Sequence, residues 1–252
     1  PDRVTMTAKR LKKQSSLSVE WRLPVAASEE AIRLAHSAVH LKNLRESNLD
    51  FDGDTPWYEG IERHAARAAG AALDAMKSAR KGRHALSLMR PPGHHATRER
   101  AMGFCYLSSM AIAILNGMNS YGLRMAVLDF DVHHGNGTEA LVRNLEPTTV
   151  TNTFPTLFGD VTLESPSFKP WLDETDSDNV LFVSLHGYGH GFYPSSGRTG
   201  ADRPVFNVGW PLCKDKDQAS RDWLFRLDKS LFIGDDSRDC QAAYNSGCGS
   251  IF

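Results

Sequence analysis

The stretch Asp129-Phe130-Asp131-Val132-His133-His134-Gly135-Asn136-Gly137-Thr138 decides how this chain is read. The apolar run Met125-Ala126-Val127-Leu128 leads into it and predicts a buried strand. Two carboxylates and two imidazoles then crowd its end, followed at once by glycines. Unpaired charge in such a place is costly, so the groups need a partner, most simply a metal ion. Alternate residues of an extended chain share a face, which puts Asp129, Asp131 and His133 together. Carboxylate and imidazole donors two residues apart suit a zinc-type ion. The plainer alternative is a strand-to-turn junction with polar caps.

A second polar concentration lies upstream. Residues 84–89 predict a short strand that stops at Arg90-Pro91-Pro92-Gly93-His94-His95. Two prolines end any ladder, and Gly93 permits a sharp turn, so two adjacent histidines are presented on a rigid loop. Gly103-Phe104-Cys105-Tyr106 opens an apolar helix over about 107–118, and a further helix is expected over about 138–144. Ser28 is placed to cap a helix whose first turn carries Glu29 and Glu30. The alanine-rich run 59–81 predicts a closely packed helix. Residues 16–22, 150–154 and 180–186 are strand candidates, and 155–178 reads as a surface loop. Strands alternating with helices predict an α/β fold with a mainly parallel sheet. Polar motifs at strand ends mark the site edge of such a sheet.

Composition narrows the class. In 252 residues, 41% hydrophobic and 23% charged content are those of a soluble globular protein. A net charge of -1 gives no sign of a nucleic-acid or membrane partner, and no apolar run is long enough for a membrane helix. The four cysteines, Cys105, Cys213, Cys240 and Cys248, have no CxxC spacing, which fits a reducing compartment. A cytoplasmic location is expected, or a nuclear one in a eukaryote.

Metal donors, a histidine pair and nearby aromatics describe a hydrolase with a narrow pocket. A divalent metal polarises a carbonyl and acidifies water, and a neutral histidine can take the proton. His94 and His95 are the candidate acid and base. Asp129 could orient His94, and Asn136 could partner His95 without adding charge. Phe104 and Tyr193 each follow a turn and could line a channel for an aliphatic chain.

Five linked motifs carry a family resemblance. They are Arg90-Pro91-Pro92-Gly93-His94-His95-Ala96, Gly103-Phe104-Cys105-Tyr106, the 129–138 stretch, Ser184-Leu185-His186, and Phe192-Tyr193-Pro194-Ser195-Ser196-Gly197. In order and spacing they resemble the zinc-dependent histone deacetylases, in the class II-like and bacterial branch that Asn136 typifies. The likeness runs from the first residue to about Leu212, and Asp54-Thr55-Pro56-Trp57-Tyr58-Glu59-Gly60 belongs to it. It implies an arginase/deacetylase-like three-layer fold, truncated at its C-terminal side, and removal of acetyl groups from acetylated lysine or a related acyl amine. It further implies Zn2+ on Asp131 and His133, with His94 and His95 as acid/base pair backed by Asp129 and Asn136. Phe104 and Tyr193 would be channel walls, Gly103 a backbone acceptor and Asp54 a rim acid. Asp129, Asp131, His133, Ser184 and Leu185 would surround K+. The implied partners are acetylated proteins or other acyl amines.

After Leu212 the likeness is expected to stop. Domain 1–212 would be an incomplete deacetylase domain. The tail 213–252 resembles the last motif of haloacid-dehalogenase-type phosphatases, with Asp235 and Asp236 as paired acids. Asp236 is also a fallback third zinc ligand. The family's later glycine-rich tyrosine loop has no counterpart, and Tyr244 is a poor substitute, so activity of this chain is in question. The competing readings are a non-catalytic acetyl-lysine-binding remnant and a phosphatase built on Asp129 and Asp131.

Overall fold

A computed structural model describes residues 2–15, 18–145, 148–167, 175–211, 231–232 and 249–250. Its centre is a four-stranded sheet in the order β1 (Met125–Asp129), β4 (Val180–Tyr188), β6 (Val205–Pro211), β5 (Gly200–Asp202). β1, β4 and β6 run parallel, and only the edge strand β5 is antiparallel. The expected α/β class with a mainly parallel sheet is what the chain forms. Asp129 pairs in register with Ser184, so the polar ends of β1 and β4 sit side by side.

Helices cover the sheet. α4 (Ile61–Arg80) packs on α5 (Ser109–Tyr121), and α5 packs on β1. α6 (Asn136–Arg143) lies against β4 and β6. The ends of these helices follow from the sequence. Ser108 caps α5 through Ala111 N–H, and Gly122 ends it in the left-handed conformation with φ 59°. Ser28 caps the short α2 (Glu29–Arg33) as expected, and Ser37 likewise caps α3 (Ala38–Glu46). Helix α1 (Asp2–Lys13) is a surface element with a basic last turn. The core gathers Ile32, Leu41, Leu44, Ile61, Leu107, Ile112, Ile114, Leu141 and Phe182, all essentially inaccessible.

Three local expectations are corrected. Residues 83–89 form no regular strand. Among the described residues their backbone has no strand partner as it passes into the Arg90-Pro91-Pro92 loop. The described part of 16–22 is likewise irregular. The stretch expected to be a strand and a long loop is a hairpin, β2 (Thr148–Thr156) with β3 (Gly159–Ser167). Its β-branched residues favour extended backbone, which outweighs the Pro and Ser content that suggested a loop. Short strands β7 (Leu231–Phe232) and β8 (Gly249–Ser250) pair in parallel. The rest of the 213–252 tail, including Asp235, Asp236 and Tyr244, lies outside the described residues.

Gly70 in α4 supports a close crossing. A Cβ there would sit 1.8 Å from the Val25 carbonyl oxygen, a backbone atom that cannot swing away. Ala27 N–H also donates to the Ala66 carbonyl at 2.8 Å. Helix propensity alone favours Gly→Ala by about 1 kcal/mol. The crossing reverses that sign: Gly70→Ala is expected to destabilise the chain by about 1–3 kcal/mol in urea denaturation. A more stable variant would contradict the packing.

His36 is fully buried and accepts a hydrogen bond from Ser108 N–H through Nε2 at 2.9 Å, which ties α2 to the start of α5. Burial, then the neighbouring His40, pulls its pKa down to about 3. A histidine whose folded pKa is lowered stabilises the fold above its unfolded pKa of about 6.5 and loses that contribution as pH falls toward the folded value. Folding stability should therefore decline from about pH 6.5 downward. A His36→Gln variant should show a shallower decline, read as denaturation midpoints across that range.

Candidate active site

The site forms where five segments meet at the carboxyl edge of β1. The 93–96 turn closes through Ala96 N–H to the Gly93 carbonyl at 3.1 Å. It is then gripped by α6, whose Gly137 and Thr138 N–H groups both donate to the His94 carbonyl, at 2.9 and 3.1 Å. These are helix N-terminal donors that would otherwise lack partners. Only glycine permits the approach at 137, because a Cβ would lie 2.4 Å from the Ala96 carbonyl oxygen. The grip brings the histidine pair to the carboxylates that follow β1.

The two imidazoles lie 3.9 Å apart, centroid to centroid, and have different partners. His94 Nδ1 is 3.0 Å from Asp129 Oδ2. Asp129 Oδ1 accepts from Asp131 N–H at 3.1 Å, so both oxygens of this carboxylate are engaged. His95 Nδ1 is 2.7 Å from Asn136 Oδ1. An amide oxygen only accepts, so His95 carries its proton on Nδ1 and keeps a lone pair on Nε2. His95 is 4% exposed, and burial followed by the neighbouring His94 lowers its pKa to about 4. The imidazole is neutral at physiological pH.

Asp131 and His133 lie next to this pair. His133 N–H donates to Asp131 Oδ1 at 2.7 Å, and His133 Nδ1 is 3.2 Å from the same oxygen. Burial raises the Asp131 pKa, but the hydrogen bonds from His133 and the charge of His94 outweigh it and leave the carboxyl below its ordinary range. The 3.2 Å separation suits two ligands of one tetrahedral ion, since bonds of about 2.0–2.1 Å place adjacent donors roughly 3.3 Å apart. The donors fit zinc in type and spacing. Among the described residues no group of three His, Cys, Asp or Glu side chains is placed to hold a metal. The fallback third donor, Asp236, lies outside those residues.

Aromatic rings flank these groups. The Phe192 ring stacks on His133 at 5.1 Å and 10°, and Tyr193 stands edge-on to His95 at 5.0 Å and to His133 at 5.9 Å. Desolvation raises the Tyr193 pKa to about 12, so its hydroxyl stays protonated. Gly103 faces Tyr193: a Cβ at 103 would lie 2.6 Å from the Tyr193 hydroxyl and 2.7 Å from the His95 ring. Phe104 is 56% exposed, and Asp54 is exposed on the neighbouring 52–55 turn. Ser184 is buried, with Oγ 2.9 Å from His186 Nδ1, and Leu185 follows on β4. The buried Cys105 thiol, pushed to about 12 chiefly by desolvation, is inert.

Several residues that support the site were not singled out in the sequence. The His134 and His186 rings lie 4.5 Å apart, tilted at 46°, and hold the turn that bears Tyr193. His134 Nδ1 meets Ser196 Oγ at 2.9 Å, and His186 Nε2 meets the Gly197 carbonyl at 2.7 Å. Glu139 Oε2 is 2.7 Å from His134 Nε2, an off-axis ion-pair contact that lacks good hydrogen-bond alignment. Burial raises the Glu139 pKa, but His134, Asn207 and Arg143 overcome it and hold it at about 2. Adjacency of His134 to His133 was the one sequence signal available.

Comparison with known proteins matches this arrangement. The histone deacetylase domain matches residues 1–227. Human polyamine deacetylase HDAC10 is 34% identical over 194 residues, which are 71% of this chain and 28% of that protein. A probable deacetylase of Methanothermobacter thermautotrophicus is 42% identical over 50% of this chain and 40% of its own length. The histone deacetylase-like amidohydrolase of Pseudomonas aeruginosa is 40% identical over 47% of this chain and 33% of its own. These matches span well under half of each relative's length. Among solved structures, the HDA15 HD domain superposes with a TM-score of 0.62 at 27% identity, covering 83% of this chain and 56% of that one. With the family domain matched over most of its length and the histidine, aspartate and asparagine groups converging on the β1 edge, the chain belongs to the histone deacetylase family.

Proposed function

We propose that the site hydrolyses the amide of an acetylated amine, using a divalent metal held by Asp131 and His133. The observation that carries the reading is the unequal histidine pair, one imidazole on a carboxylate and the other on a neutral amide, 3.9 Å apart beside those two donors. Zinc is the expected ion, with Asp236 the candidate third donor. Once bound, zinc would acidify water and polarise the acetyl carbonyl. K+ near Asp129, Asp131, His133, Ser184 and Leu185 would add positive charge behind the site.

The chain's own groups divide the proton transfers. His95, neutral and with a free Nε2 lone pair, takes a proton from the attacking water. Asp129 holds His94 in the tautomer with the proton on Nδ1 and favours its cationic form, which suits donation to the departing amine. The amide C–N bond breaks, leaving acetate and a free amine. Phe104 and Tyr193 flank the aliphatic stem and exclude water, Gly103 offers its carbonyl, and Asp54 meets the substrate at the rim. Suitable substrates are acetylated proteins and, as the name of the HDAC10 relative suggests, acetylated polyamines.

The two donors among the described residues also favour a second reading, in which the chain binds acetyl-lysine without turnover. A phosphatase is disfavoured, because Asp129 is committed to orienting His94 and to the Asp131 N–H.

Purified protein should retain zinc in one-to-one ratio and release acetate from an acetyl-lysine peptide or acetylated polyamine. Zinc binding and peptide binding without acetate would support the binding-only reading, and absence of both would overturn the site. Asp131→Asn should lower zinc content measured by elemental analysis. His95→Ala should lower kcat by roughly 10²-fold or more. Asn136→Asp would put a carboxylate against His95 Nδ1, raise its pKa, and move the acid limb of the kcat/KM profile to higher pH. An unmoved limb would contradict the role of His95 as base.

A further inference from the structure

We infer that Asp52 and Thr55 are positioning residues that hold the Gly103-Phe104 channel wall in its left-handed conformation and so set affinity for the acyl-amine stem. The inference rests on the deacetylase reading for its substrate and on geometry for the rest. Two tight turns face each other. In one, Phe51 N–H bonds the Thr55 carbonyl at 3.0 Å and Thr55 N–H bonds the Asp52 carbonyl at 3.3 Å. In the other, Met102 and Cys105 exchange both backbone bonds, at 3.0 and 2.9 Å. The tip of the second turn is Gly103 at φ 56° and Phe104 at φ 65°. Glycine adopts this region freely, but a side chain does so only when its surroundings enforce it.

The surroundings here are two hydrogen bonds from far along the chain. Gly103 N–H donates to Asp52 Oδ2 at 3.1 Å, and Phe104 N–H donates to Thr55 Oγ1 at 3.0 Å. Thr55 is fully buried. Asp52 Oδ1 accepts from Asp54 N–H at 3.0 Å, which fixes the rim acid to the same unit. The pair thus holds both N–H groups of the turn tip with one charged and one neutral acceptor. Phe104 is 56% exposed, so packing contributes little to holding its ring. Gly103 lies under the Tyr193 hydroxyl, so a turn that relaxes changes the spacing between the two walls. The hydrogen bonds of Asp52 and Thr55 run to the two facing turns, so the arrangement acts on the channel wall and leaves proton transfer alone.

Thr55→Val keeps the shape and removes the acceptor, while Thr55→Ser keeps the acceptor. In the full chain, peptide-resolved hydrogen exchange over residues 101–106 should speed up in Thr55→Val and stay native in Thr55→Ser. Acetyl-lysine peptide affinity, by fluorescence anisotropy, should fall roughly tenfold in Thr55→Val, one hydrogen bond's worth, and be restored in Thr55→Ser. KM should rise in step, with kcat within about twofold of the parent and zinc content unchanged. Asp52→Asn, which keeps an acceptor for Gly103, should fall between the two and guards against a folding defect in Thr55→Val. Native exchange at 101–106 in Thr55→Val, or lost exchange protection with unchanged peptide affinity, would overturn the inference. If the parent chain binds no acetyl-lysine peptide, the functional reading fails, and exchange at 101–106 still decides whether Thr55 holds the turn.

Discussion

Two imidazoles 3.9 Å apart in a desolvated site cannot both be charged without cost. The surrounding structure assigns them different states. His94 meets a carboxylate, so a cation is tolerated there. His95 meets an amide and stays neutral. That asymmetry depends on bringing the 93–96 turn against the end of β1. The N-terminus of α6 does this by donating two N–H groups to the His94 carbonyl. The sheet register and the glycine at 137 serve the same placement.

Beneath the reacting groups lies a second polar layer whose task is support. His134, His186 and Glu139 are buried or half-buried and linked to one another, and they fasten the turn that carries Phe192 and Tyr193. Asp52 and Thr55 fasten the opposite turn. Each turn is thus tied to a segment distant in sequence, which in the proposed function would keep the pocket ordered before substrate arrives and lower the cost of binding. A carboxylate such as Glu139 can be buried at this depth because three partners share its charge.

The parts legible in the sequence were those with strong local signals. The Ser28 cap and the strand that ends at Asp129 read correctly, because a cap and a polar burst at a strand end depend on near neighbours. The separate partners of His94 and His95 were inferable from chemistry, since Asp129 and Asn136 offer a charge and a neutral acceptor. Residues 84–89 were misread because an apolar run says nothing of whether a neighbouring strand is available. The 148–167 hairpin was missed because proline and serine outweighed threonine and valine in the reading. Asp52, Thr55, Glu139 and His186 could not be ranked above other polar residues, because their partners lie at sequence separations of 51, 49, 5 and 11, and only folding brings the distant ones together.

Everything proposed for the site depends on His95 being held neutral by burial and by its amide partner. Titration of its imidazole in the metal-free protein, followed by ¹⁵N NMR with a His95→Gln variant for assignment, tests this directly. The expected result is a neutral ring with the proton on Nδ1 throughout the physiological range and a midpoint of about 4. A midpoint near the ordinary value of about 6.5, or a proton on Nε2 in the neutral form, would contradict it.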